Sequence, residues 1–78
     1  MVIRIKYFGL ITDNLATEAN MPNGSNISKL IEYLISHEPK LKNTLKRSTI
    51  LVNKSKADLQ TILNDNDEVM ILTVLGGG

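Results

Sequence analysis

The stretch Asn64–Gly78, NDNDEVMILTVLGGG, decides how this chain folds. Asn64, Asp65, Asn66 and Asp67 form a tight turn in which Asn66 can occupy a left-handed backbone conformation with little strain. The turn launches Glu68 to Leu75, the longest apolar run in the chain. That makes it the best candidate for the central strand. Gly76, Gly77 and Gly78 follow directly, with no side chain to pack and no preferred conformation.

Working outward from this strand, residues 2–8 place Ile3, Ile5 and Tyr7 on one face and Arg4 and Lys6 on the other. This is the period-2 pattern of a half-buried strand. A weaker alternation, Leu15, Thr17, Ala19 and Met21, follows a connection containing Gly9, Asp13 and Asn14, and suggests an antiparallel N-terminal pair. Turn and cap residues from Pro22 to Asn26 then precede Ile27, Leu30, Ile31 and Leu34 at helical spacing. Asn26 is the expected N-cap, because its side-chain oxygen can accept an unpaired N–H of the first turn. Pro39 pushes the residue before it out of the helical region, so the pattern predicts one amphipathic helix over 27–37. Ile50, Leu51 and Val52 mark a third strand over 49–53, and Lys54 to Ile62 reads as a crossing segment anchored in the core by Leu59.

The order strand, strand, helix, strand, crossing segment, strand has one compact solution. It is a mixed sheet of four to five strands with one main helix packed on one face, the first and last strands adjacent and parallel through a right-handed crossover. Ile3, Ile5, Leu30, Leu34, Val69 and Ile71 are expected to be buried. If Val69 and Ile71 point to the helix, alternation sends Met70, Leu72 and Val74 to the opposite face. Little chain remains to cover them there, and clustered exposed apolar residues mark a docking surface.

At 78 residues the chain is expected to be a single domain over 1–75 with a flexible glycine tail at 76–78. A domain of this size buries only about 60% of its unfolded surface and has no room for a deep enclosed active site. The absence of cysteine excludes disulfides, thiolate metal sites and Cys nucleophiles. His37 is the only histidine, which leaves no histidine-based metal cluster and no His pair for acid-base work, and it reads as a solvated residue near a helix end. No metal is expected. Residues 1–8 lack the apolar core of a secretory signal and no apolar run reaches the ~20 residues that span a bilayer, so a cytoplasmic protein without membrane contact is expected.

Net charge is +1, yet between Glu38 and Lys56 six basic residues (Lys40, Lys42, Lys46, Arg47, Lys54, Lys56) face one acid. A nucleic-acid surface would interleave aromatics here and none occur. The segment is therefore either a solvated basic face or a docking surface for an acidic protein partner.

The acids lie mostly in turns and exposed strand positions, and Ser25 and Ser28 have no nucleophile context, so no catalytic constellation converges on a pocket. The glycine end is either a frayed terminus or a device. A tail without Cβ atoms can thread a narrow channel in a partner, and three extended residues at about 3.3 to 3.6 Å each reach roughly 10 Å. The terminal carboxylate, with a reference pKa of about 3.3 to 3.7, is ionised at pH near 7 and can attack the α-phosphate of ATP. The acyl-adenylate so formed is an electrophile from which sulfide can displace AMP, leaving a thiocarboxylate.

Four stretches resemble the small subunit of molybdopterin synthase, the MoaD family, within the MoaD/ThiS group of ubiquitin-like sulfur carriers. Ile3-Arg4-Ile5-Lys6-Tyr7-Phe8-Gly9 looks like the opening strand of that family. Asn26-Ile27-Ser28-Lys29-Leu30 is similar to its helix start, and Val52-Asn53-Lys54 to its Val-Asn-Gly strand end. Leu63-Asn64-Asp65-Asn66-Asp67-Glu68-Val69 and the terminal Gly77-Gly78 resemble its Leu-x-Asp-Gly-Asp-Glu-Val and double-glycine ending. The chain departs from the family at Asn66 (usually Gly), at Thr73-Val74 (often Pro-Pro), at Gly76 (Ser, Thr or Ala), and in the loop Leu10 to Asn14.

The resemblance implies an α+β, β-grasp (ubiquitin-like) fold and no catalytic side chain in the carrier itself. It implies that a MoeB- or ThiF-like adenylating enzyme, using ATP that this chain does not itself retain, activates Gly78. A persulfide sulfur donor then supplies the thiocarboxylate, with Gly76 and Gly77 as the leash. The MoaE-like large subunit of molybdopterin synthase would use it to make the dithiolene of molybdopterin. The exposed face of Met70, Leu72 and Val74 is the expected docking surface for that subunit and for the activating enzyme. A ThiS-like carrier for the thiazole of thiamin, conjugation to protein lysines, and a β-grasp interaction module without an activated tail are the alternatives.

Overall fold

Alternation in the first strand and the apolar run of the last one build the centre of the molecule. The computed structural model describes residues 1–9 and 15–73. Val74, Gly76, Gly77 and Gly78, and with them the boundary expected at residue 75, lie outside the described residues. The elements are β1 (Val2–Phe8), β2 (Glu18–Asn20), α1 (Ile27–His37), α2 (Leu41–Arg47), β3 (Thr49–Val52), β4 (Ser55–Lys56) and β5 (Glu68–Leu72). They form one five-stranded sheet in the order β2-β1-β5-β3-β4. Central β5 runs parallel to β1, with Ile5 opposite Val69 and Tyr7 opposite Ile71. It runs antiparallel to β3, with Ile50 opposite Ile71 and Val52 opposite Val69.

The helix over 27–37 forms as the spacing predicts. Asn26 caps it, its side chain accepting the Lys29 N–H at 2.9 Å, and at the other end the Glu38 N–H donates to the Leu34 carbonyl at 2.9 Å. Ile27, Leu30 and Leu34 turn to the sheet, where they meet Ile3, Ile5, Val69 and Ile71; all seven are 2% exposed or less. Asn66 takes the left-handed conformation, with φ of 69°. Burial holds the Tyr7 phenol above its ordinary pKa, and its hydroxyl donates to the Ala16 carbonyl at 2.6 Å.

Four expectations are revised. The connection after α1 is a second helix: α2 buries Leu41 and Leu45, one helical turn apart, and turns Lys42, Lys46 and Arg47 outward. Its seven residues have no side-chain cap, so little in the local sequence announces it. The alternation over 15–21 gives only three residues of strand, Glu18–Asn20, although the Ile5 N–H also donates to the Thr17 carbonyl at 2.8 Å; Leu15 and Ala16 pack partly against the core. The third strand stops at Val52. Asn53 and Lys54 carry φ of 49° and 71°, the two positive values of a tight two-residue hairpin leading to β4.

Leu59 is not a core anchor. It is 54% exposed, and Leu63, at 1%, fills that role. The cause lies in the helix start, whose first N–H groups have no partner within the helix. The crossing segment supplies carbonyls instead: Ile27 donates to Thr61 and Ser28 to Leu59, both at 3.0 Å. The backbone of Leu59 is thus held at the helix N-terminus while its side chain faces outward.

Asp67 is buried at 8% exposure and binds three elements together. Its carboxylate accepts the Asn53 side-chain amide at 2.8 Å and the Asn64 N–H at 2.7 Å, while Asn53 in turn accepts the Glu68 N–H at 3.0 Å. Bonds to a charged group contribute more than neutral ones, so Asp67→Ala is expected to destabilise the fold by about 2–3 kcal/mol. Urea unfolding read by circular dichroism checks this, and a change under ~0.5 kcal/mol would show the cluster to be decorative.

Candidate functional site

β5 carries the chain through the middle of the sheet and delivers it to Thr73, whose position three neighbours determine. The Thr73 N–H donates to the Phe8 carbonyl at 2.9 Å, continuing the parallel ladder one residue beyond β5. Its hydroxyl lies 3.0 Å from the Ser48 hydroxyl, which also donates to the Thr44 carbonyl at 2.7 Å and so ties the exit to the end of α2. The third neighbour is Gly9, with φ of 99°. A Cβ there would collide with the Thr73 carbonyl oxygen and stand 3.1 Å from its carbon. Only glycine satisfies both the conformation and the close approach.

Gly9 is a residue whose role sequence reasoning missed; it had stood only as the end of the opening strand and as part of the connection that follows it. The Gly9→Val substitution is expected to cost about 1–3 kcal/mol of stability and to shift Thr73 from its place beside Phe8. Amide hydrogen exchange at Thr73 checks this, since a protected Thr73 in the variant would contradict it.

Beside this exit lies the face of the sheet opposite the helices, which no other described element covers. β1 presents Val2, Arg4, Lys6 and Phe8 outward, its other residues being buried or half-buried. Opposite them stand Met70, paired with Lys6, and Leu72, paired with Phe8. Leu51 on β3 also pairs with Met70. The result is an apolar cluster of Phe8, Leu51, Met70 and Leu72. Phe8 is 44% exposed and the other three are half-buried. They do not pack on the helix-side core.

Met70 and Leu72 are therefore on the face expected for them, though less bare than expected. Val74 lies outside the described residues. Phe8 and Leu51 join the cluster without having been foreseen. Phe8 was signalled by its parity with Arg4 and Lys6, whereas the unbroken apolar run Ile50-Leu51-Val52 hid which of its residues faces out. Lys6 and Glu68 form an ion pair at 3.2 Å along the polar border of the cluster.

Among the described residues no group of three or more His, Asp or Glu side chains could hold a metal ion. His37 is exposed and stacks on Tyr33 with ring centroids 4.3 Å apart, in keeping with a solvated residue at the helix end. No helix among the described residues is long and apolar enough to cross a membrane.

A five-stranded mixed sheet grasping one long helix, with its central strand running out toward a glycine end, defines a ubiquitin-like β-grasp protein. The family model described as the ThiS family matches residues 5–78, and the chain belongs to that family. It is 29% identical over 80 residues to the molybdopterin synthase sulfur carrier subunit of Mycobacterium tuberculosis, covering 97% of this chain and 96% of that one. The crystal structure of SAMP1 from Haloferax volcanii has the same fold, with a TM-score of 0.83 at 15% identity and all of both chains covered. A chain in the complex of subunits 1 and 2 of the molybdopterin-converting factor from Helicobacter pylori matches with a TM-score of 0.67 at 25% identity, again over the whole of both chains.

Proposed function

We propose that this chain is a sulfur carrier, adenylated and then thiocarboxylated at the carboxylate of Gly78, and that it serves as the small subunit of molybdopterin synthase. The observation that carries the reading is the exit geometry. β5 is pinned at Thr73 by Phe8, Ser48 and Gly9, directly beside the apolar cluster of Phe8, Leu51, Met70 and Leu72. A partner seated on that cluster receives residues 74–78 from a defined starting point. The relatives support the same reading, one by its name as a sulfur carrier subunit and another by its complex of two converting-factor subunits.

The chemistry needs no side chain of this protein. The Gly78 carboxylate oxygen attacks the α-phosphorus of ATP on an adenylating enzyme, releasing pyrophosphate. The terminal sulfur of a persulfide donor then attacks the acyl carbon and AMP leaves. A thiol cleaves the resulting acyl disulfide, leaving the thiocarboxylate. The large synthase subunit uses two such sulfurs to build the dithiolene of a pterin. The protein would work in the cytoplasm with these partners and hold no cofactor of its own.

The family model that matches is ThiS, so a carrier for thiazole synthesis is the second reading. Both readings share the activated glycine and part only at the acceptor. Incubation with ATP, an adenylating enzyme and a persulfide donor should produce the mass gain of one oxygen-for-sulfur exchange in the intact protein. The thiocarboxylated protein should then sulfurate a cyclic pterin precursor in the presence of the large subunit. An unchanged mass would end the carrier reading, and sulfur transfer confined to thiazole formation would move the protein to the second one.

A further inference from the structure

The basic segment 38–56, which sulfur carriage leaves without a use, folds into one side of a groove on the helix-covered side of the sheet. The groove has a volume of about 540 Å³, within the range of ligand-binding clefts. Its floor and walls are aliphatic: Ile27, Ile31 and Ile35 from α1, Leu45 from α2, Ile50 from β3, and Leu59 from the crossing segment. Leu59 is 54% exposed, held there by its own carbonyl bond to Ser28.

Charge at the groove is net positive, three lysines against the two acids Glu32 and Asp58. Lys42, Lys46 and Lys56 stand exposed around it, and none of the three enters an ion pair among the described residues. Both acids at the groove have partners within the chain, though Asp58 is bonded only to neutral groups, which do not offset its charge. Glu32 lies 3.7 Å from Lys29, and Asp58 accepts the Gln60 N–H at 2.8 Å and the Thr61 hydroxyl at 3.3 Å. An aliphatic floor with an unpaired cationic rim is complementary to a ligand that is apolar at its centre and anionic at its edges. Nucleic acid fits poorly, because the groove has no aromatic side chain on which a base could stack.

We propose that this groove docks a short acidic peptide segment of a partner protein, its aliphatic or aromatic side chains filling the floor and its carboxylates reaching Lys42, Lys46 and Lys56. The groove lies across the sheet from Phe8, Met70 and Leu72, so a segment bound here leaves the opposite face free. The site is independent of Gly78 and stands or falls apart from sulfur carriage.

Selection of a random dodecapeptide display library against the intact protein tests this, with enriched peptides then synthesised and titrated by 15N NMR. The expected result is a consensus pairing aliphatic or aromatic residues with Asp or Glu, shifting the amides of Ile31, Leu45 and Leu59 and weakening with added salt. Leu59→Asp, and separately Lys42→Glu with Lys46→Glu, should each weaken binding on the order of tenfold or more. All three are exposed positions, and the lysine pair keeps the test open if Leu59→Asp perturbs folding. No enrichment, a basic consensus, or shifts confined to Phe8, Met70 and Leu72 would overturn the proposal. So would polyuridylate binding lost in the same variants, or self-association of the chain abolished by Leu59→Asp, which would put RNA or a second copy in the groove.

Discussion

Deletion of Gly78 should abolish thiocarboxylate formation, a loss of roughly 100-fold or more in rate, while the fold remains intact. The proposal requires the reacting carbon to sit at one distance from the exit at Thr73. Removing a residue shortens the reach by about 3.3 to 3.6 Å, and a misplacement of about 1 Å can already cost ~100-fold. Extension by a single residue should be equally damaging. It turns the Gly78 carboxylate into an amide carbonyl, which is a poor nucleophile toward ATP, and carries the new carboxylate past the catalytic groups. Stability should hardly change, because every buried apolar residue of the described core lies between Ile3 and Ile71. Intact mass after incubation with ATP and adenylating enzyme, alongside thermal unfolding, reads both halves of the expectation. A deletion variant that is thiocarboxylated normally would refute the role of Gly78. One that unfolds would instead show the end of the chain to be structural.

The second large effect is expected at Leu72. A carboxylate placed there would be desolvated beneath any partner that covers the apolar cluster, while the partner's apolar surface would lose its counterpart. Leu72→Asp should raise the Kd for the large subunit and for the adenylating enzyme by about 100-fold, equivalent to ~2.7 kcal/mol. Leu72 lies outside the helix-side core, so the variant should still fold. Lys29→Glu, on the exposed side of α1 with 66% of its side chain accessible, should leave both affinities unchanged and serves as the comparison. Calorimetric titration measures these constants. Equal binding by the wild type and Leu72→Asp would mean that partners approach the tail without using this face. The two experiments also separate the roles: the Gly78 deletion should bind normally and fail to react, whereas Leu72→Asp should react only when partner concentrations are raised.

What the sequence by itself determined was the part governed by local periodicity and by backbone chemistry. The alternation of Ile3 and Ile5, the helical spacing of Ile27, Leu30 and Leu34, the cap at Asn26 and the left-handed turn at Asn66 are each dictated within a few residues, and each forms as read. The parallel pairing of the first and last strands also followed, because few connections satisfy that element order.

The tertiary structure alone decided the rest, and each case depends on atoms distant along the chain. α2 is held by the burial of Leu41 and Leu45, since seven residues without a side-chain cap have little helical stability of their own. Leu59 faces outward because its carbonyl is needed at the first turn of α1, a demand invisible at residue 59. Leu51 joins Phe8, Met70 and Leu72 through strand register, and an unbroken apolar run does not reveal its own parity. Gly9 must be glycine because the Thr73 carbonyl, brought against it by the β1–β5 ladder, leaves no space for a Cβ.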